Sequence, residues 1–305
     1  MSQAELYFQS DAILGEGPVW DKGTLYWTDI IGKRLFVKSD NAASAAQYEV
    51  GIEVGAFALC DDGWMALATA RGYQGFNPKT KQLTPWVNPE AELPDNRFND
   101  GKCDPRGRFI AGTMHLPAAA ARGALYVLDH DRSARKIYSP VTCSNGLAWS
   151  ETGTTFYYID TPTAVVRAFH YDLATGSLSD ERVVIEIPAT HGKPDGMTID
   201  RDGNLWIALW KGWGIECWSP ASGKRLARIE VPVSRVTSCV FGGARFDTLF
   251  ITTARIGLEK RELAGQDKAG SIFYAKPGVS GYAAVPFRPE VRCRPRSSCP
   301  AASRR

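Results

Sequence analysis

The chain has 305 residues, 44% of them hydrophobic and 23% charged, the balance of an ordinary globular protein. A formal net charge of +3, with both signs mixed along the chain, argues against a nucleic-acid partner. There is no run of about 18 apolar residues to span a membrane, and no basic segment followed by an apolar run at the N-terminus to act as a secretory signal.

In chain order, the first run, AELYFQ, alternates like a strand, although LYFQS within it also resembles a protease site left by a cloning tag. Six segments then repeat one pattern: a short apolar strand, a turn with Asp or Gly, and a second strand rich in aromatic and β-branched residues. They read EGPVWDKGTLYWTDI, AFALCDDGWMALATA, NDGKCDPRGRFIAGTM, NGLAWSETGTTFYYID, DGMTIDRDGNLWIALW and TSCVFGGARFDTLFITTA. Turns such as DDG, DPRG, SETG and DRDG supply residues that accept φ > 0 in hairpins, and the sixth copy has the longer turn GGARFD. A third strand follows each copy (KRLFVKS, YQGFNP, GALYVLD, VVRAFHYD, GIECWSP, GSIFYAK), and a further β-rich run leads to the next unit.

The copies start at residues 16, 56, 99, 145, 195 and 237, a spacing of roughly 40 to 50 residues that matches the period of propeller blades. A TIM barrel or Rossmann fold would need helices between strands, and no long amphipathic helical pattern is present. A β-sandwich accounts for the strands but not for the period. The predicted fold is therefore all-β: a six-bladed β-propeller of four-stranded antiparallel blades, one domain over residues 1–288. AELYFQ is expected to join the last blade as its outer strand and hide a sheet edge. The tail over 289–305, rich in Arg, Ser and Pro, is expected to be disordered.

The first residues of the copies are Glu16, Ala56, Asn99, Asn145, Asp195 and Thr237. The first strand of a propeller blade lines the central channel, so these positions should form a ring at one end of it. Four of them are carboxylates or carboxamides, hard oxygen donors suited to Ca²⁺, Mg²⁺ or Mn²⁺ and acceptable to Zn²⁺ or Fe(II). Turn capping explains any one of them but gives no reason for the same register each time. Two acids packed together repel unless one is protonated or a cation lies between them.

The segments LGEGPVW, NRFNDGKCDPRGRFIAGTM, SNGLAW and KPDGMTIDRDGNLWIALW, with FGGARFDTLFITTARIGL in the last copy, resemble the regucalcin/gluconolactonase family (the senescence-marker-protein lactonases). The resemblance runs from about residue 12 to 285, with the motifs in the family's order and spacing. It implies a hydrolase acting on a sugar lactone of pentose or hexose oxidation, such as an arabinono-, xylono-, galactono- or gluconolactone. It further implies one divalent metal ion held by Glu16, Asn145 and Asp195, with Arg97 and Asn99 holding the substrate. Family members often carry an acidic residue shortly after AGTM. Here the run continues His115-Leu116-Pro117, so His115 is the candidate replacement. Asp195 is the candidate general base as well as a ligand, and three protein ligands leave coordination positions open for water and substrate. A metal-dependent phosphotriesterase or arylesterase, and a non-catalytic calcium-binding propeller, stand as alternatives.

The remaining candidates are weaker. No Gly-x-Ser-x-Gly elbow surrounds Ser144, which argues against a Ser–His–Asp hydrolase. His130 and His170 read as surface or strand residues, and His191 and Lys193 lie in the loop THGKPDG before Asp195. Trp206 reads as blade core, with Trp210 and Trp213 as possible stacking faces for a sugar ring. The seven Cys stand singly, with no CxxC pair, which speaks against a zinc knuckle and for a reducing cytoplasm.

Overall fold

The computed structural model describes residues 2–116 and 120–290. Of the tail predicted over 289–305, only Pro289 and Glu290 fall within these residues. Strands such as Leu205–Trp210 (LWIALW) carry apolar side chains on both faces, so they must be covered from both sides. Six small antiparallel sheets meet that need by standing face to face in a ring, the predicted six-bladed propeller. The inner strands of blades 1 to 6 are Gly15–Asp21, Val54–Leu59, Asn96–Cys103, Ser144–Trp149, Lys193–Ile199 and Val236–Gly242. Each sheet is ordered outward from its inner strand. In every blade the turn after the inner strand carries a left-handed glycine, from Gly23 (φ 76°) to Gly243 (φ 82°), as the Asp/Gly turns predicted.

The core is a set of seams between blades. Each of six apolar clusters draws its residues from two neighbouring blades. Between blades 6 and 1, for example, Trp20 stacks on Phe250 at 4.8 Å, and within blade 1 Trp27 stacks on Phe36 at 4.9 Å in the same cluster. Truncating a buried Leu in such a seam costs about 2–5 kcal/mol.

Glu5–Phe8 pairs with Ile272–Ala275 and closes the ring as the outer strand of blade 6, so LYFQS begins in a strand. Ser2–Gln3 continues along the outer strand of blade 5 in parallel, an addition the sequence did not announce. Among the described residues, no helix is long and apolar enough to cross a membrane.

Two further features position the site. After Ala275 the chain crosses the lower end of the channel, where the inner strands finish. Gly281 donates to Phe246 O in blade 6 and Phe287 to Leu59 O in blade 2, while Ser280 O accepts from Arg201 in blade 5. This strap closes a cavity of about 730 Å³. The second feature lies near the upper end. All six inner strands shift register by one residue against their partners, between Glu16 and Val19, Val54 and Ala56, Phe98 and Gly101, Asn145 and Leu147, Pro194 and Met197, and Val236 and Ser238. Such a bulge breaks the in-out alternation and re-aims side chains.

Candidate active site at the upper end of the channel

The bulges fall on the ring positions. In blade 3 the Arg97 guanidinium donates through Nη1 to Asn99 Oδ1 at 2.8 Å and to Phe98 O at 2.9 Å. Asn99 Nδ2 donates across the blade boundary to Asn145 Oδ1 at 3.1 Å and to Ser144 O at 2.8 Å. Asn145 Nδ2 donates to Thr161 Oγ1 at 2.8 Å, and that hydroxyl donates to Pro194 O at 2.8 Å, one residue before Asp195. One file of hydrogen bonds thus links three blades. Gly146, which follows Asn145, has φ 28°, and a Cβ there would stand 2.9 Å from Asp195 O. The close approach of blades 4 and 5 requires that glycine.

Glu16 (6% exposed) and Asp195 (7% exposed) are both buried and close enough for the charge of one to act on the other. Burial, then repulsion from Asp100, pushes the Glu16 carboxyl up to about 8, against the N–H of Gly17 and the charge of Arg97. Burial, then the charges of Glu16 and Asp100, holds Asp195 well above the usual carboxylate range. None of the ion pairs among the described residues includes Glu16, Asp100 or Asp195. Nor do three Asp, Glu, His or Cys side chains group closely enough among those residues to hold a metal ion by themselves.

The other two ring positions serve the scaffold. Ala56 packs in the seam between blades 2 and 3. Thr237 donates to Gly15 O at 2.6 Å and fastens the backbone beside Glu16. His115 belongs to a separate network: its Nδ1 lies 3.0 Å from Asn96 Oδ1, and Asn96 Nδ2 donates to Glu90 Oε2 at 2.9 Å. His191 pairs with the buried Glu216 at 3.1 Å, which ties the loop before Asp195 to the body of blade 5. Trp206 is buried and donates to Asp200 Oδ2, as blade core. Trp210 lies under Arg235 at 4.8 Å, and Trp213 is 42% exposed.

Sequence reasoning passed over several residues. Asp100 and Lys102 enter the channel beside Asn99, and Thr161 fixes Asn145. Asp29 and Asp160 end the second strands of blades 1 and 4. Asp29 accepts from the N–H groups of Ile13 and Leu14, and Asp160 from those of Thr142 and Cys143. The same clamp therefore sets the chain just ahead of Glu16 and of Asn145. The repeated ending of YWTD and YYID was the available signal. Cys143 lies 3.7 Å from Asn145 Nδ2, and burial pushes its thiol up to about 12, so it is a neutral wall.

Residues 14–255 match the SMP-30/gluconolactonase/LRE-like region. The chain is 36% identical over 290 residues to the Bacillus subtilis protein YvrE, named for sugar lactone lactonase activity, covering 94% of this chain and 99% of that one. It is 36% identical over 277 residues to regucalcin of Homo sapiens, covering 88% and 93%. Among solved structures it resembles a luciferin-regenerating enzyme (TM-score 0.86, 30% identity, 91% and 96% covered). It also resembles a calcium-binding regucalcin of Agrobacterium tumefaciens (TM-score 0.89, 26% identity, 94% and 98% covered). The chain belongs to the SMP-30/gluconolactonase/LRE-like family.

Proposed function

We propose that this protein hydrolyses an aldonolactone of a pentose or hexose to the aldonic acid, with one divalent cation held by Glu16, Asn145 and Asp195. The observation that carries this reading is the burial of Glu16, Asp100 and Asp195 in one space with no ion-pair partner among the described residues. Buried acids in that state either hold protons or hold a cation. Asn145 fits the second alternative, because Thr161 accepts from its Nδ2 while Oδ1 accepts a single bond, from Asn99 Nδ2, and keeps its second lone pair for a cation. Two carboxylates and an amide oxygen form a hard set that suits calcium, magnesium or manganese and accepts zinc or iron(II). The calcium-binding description of the Agrobacterium neighbour agrees with that set, and the sugar lactone lactonase name of the Bacillus relative agrees with the substrate.

When bound, the cation would supply Lewis acidity toward a carbonyl oxygen or a water. The protein's own groups do the rest. Arg97 and Asn99 hold the hydroxylated substrate, and their mutual hydrogen bond fixes both before it arrives. The Asp195 carboxylate accepts the proton of the attacking water as the C–O bond to the carbonyl carbon forms. It returns that proton to the ring oxygen when the ester C–O bond breaks. His115 contacts the substrate in place of the family's acid.

The test is a pH-indicator assay of the purified protein on arabinono-, xylono-, galactono- and gluconolactone, alongside a phosphotriester and an aryl ester, with and without chelator. Hydrolysis of at least one aldonolactone, lost on chelation and restored by a divalent cation, is the expected result. Equal turnover of all the lactones in chelator would refute the metal reading, and turnover of the phosphotriester alone would refute the substrate.

A further inference from the structure

The charge of the channel extends beyond the three proposed ligands. Asp100, 8% exposed, lies in the bulge of the inner strand of blade 3 and accepts from Gly101 N at 2.7 Å. Lys102 is two residues further on and so shares its face of the strand. Its side chain crosses from blade 3 to blade 5, where Nζ donates to Met197 O at 3.0 Å. Asp100 and Lys102 both line the top of the cavity below. Arg97 is matched separately, by Glu53 at 3.8 Å. With a cation in place the three carboxylates Glu16, Asp100 and Asp195 and the one ammonium, Lys102, would give the channel a net charge of minus two, which one divalent cation neutralises.

We propose that Lys102, anchored on Met197 O, is a fixed counter-charge beneath the cation site. Together with Asp100 it sets that site to accept a divalent ion in preference to a trivalent one. The inference rests on the cation reading above. A unit charge in a buried space acts on a neighbouring ion in proportion to that ion's charge. Removing the ammonium must then favour a trivalent ion more than a divalent one, by about tenfold or more at separations of several ångströms.

The experiment titrates the full-length protein with calcium alone and with terbium(III) alone, by calorimetry at fixed pH and ionic strength, and compares the ratio of the two affinities. Lys102→Gln keeps a donor for Met197 O and is expected to move the ratio toward terbium by about tenfold. Lys102→Arg, which keeps the charge, leaves the ratio unchanged. Asp100→Asn moves it toward calcium, and the double variant Asp100→Asn/Lys102→Gln returns it to within about threefold of wild type. An unmoved ratio in Lys102→Gln overturns the proposal, as does a double variant that retains the shift of either parent. If Lys102→Gln does not fold, Asp100→Asn carries the test, and an unmoved ratio there is equally fatal. A wild-type protein that binds neither ion overturns this inference, and one that also binds none of magnesium, manganese, zinc and iron(II) overturns the cation reading with it.

Discussion

Asn145 and Thr161 are joined by a 2.8 Å hydrogen bond that decides which end of the Asn145 amide faces the channel. The same hydroxyl grips Pro194 O, so one side chain orients a proposed ligand in blade 4 and the strand carrying another in blade 5. Thr161→Val keeps the shape and removes both hydrogen bonds. We expect cation affinity to fall about tenfold, the usual cost of losing a supporting partner of a metal ligand, with kcat/KM falling in step. Thr161→Ser should restore both. Calorimetric titration with calcium checks this, and an unchanged affinity in Thr161→Val removes Thr161 from the site.

The second prediction concerns pH. The Glu16 carboxyl ordinarily titrates near 4.5, and in the folded, cation-free chain burial and Asp100 raise it to about 8. Across that window the folded state keeps a proton that the unfolded state has released. Its contribution to stability is complete below about pH 4.5 and disappears as pH climbs through about 8. Asp195 shifts in the same direction. Cation-free protein should therefore melt at progressively lower temperature between about pH 5 and pH 8, and the gain in Tm on adding calcium should grow over the same range. Melting curves with and without chelator measure it. A calcium-induced gain that shrinks with rising pH contradicts the placement of these acids.

Much of this architecture was legible in the chain, and for a definite reason. The Asp/Gly turns recur at a fixed period, and a repeat read in one register aligns Glu16, Asn99, Asn145 and Asp195 whatever the details of the strands. What alternation could not supply was Asp100. With Asn99 facing in, strict period-two reading turns Asp100 outward, whereas the bulge between Phe98 and Gly101 sends both into the channel. Thr161 escaped because it acts through the space between blades 4 and 5, and no pattern along one strand reports on a neighbouring one. Conversely, Thr237 fits the ring by position, yet its hydroxyl serves Gly15 O.

A third prediction separates binding from scaffolding at Arg97. Its Nη1 donates to Asn99 Oδ1 and Phe98 O, and Glu53 lies 3.8 Å from its Nε. Arg97→Ala removes a substrate donor and also leaves buried acceptors unpaired, at a cost of about 1–3 kcal/mol. KM should rise about 10- to 100-fold, the worth of a charged hydrogen bond, and Tm should fall. Arg97→Lys keeps the charge without the planar fork. It should recover part of KM and little of the ordering of Asn99. Steady-state kinetics on the preferred lactone decide the matter, and an unchanged KM in Arg97→Ala takes the residue out of the pocket.

The last prediction turns on His115. Asn96 Nδ2 is committed as a donor to Glu90 Oε2 and to Arg122 O at 3.0 Å, so its Oδ1 must accept, and His115 Nδ1 carries the proton. In the tautomer with that proton on Nδ1, Nε2 keeps its lone pair for a substrate hydroxyl. Glu90 is itself pinned by Thr113 and Tyr126, at 3.0 and 2.9 Å, so the tautomer is set from deep in blade 3. If Nε2 serves the substrate, His115→Ala should raise KM about 3- to 10-fold, the worth of one neutral hydrogen bond, with kcat little changed. Asn96→Leu should produce part of the same KM effect with His115 intact, because the ring loses the partner that fixes its tautomer. The two losses should then be less than additive in the double variant. A His115→Ala protein with unaltered KM for every lactone would assign the imidazole to the scaffold of blade 3 and leave Arg97 and Asn99 to define the substrate.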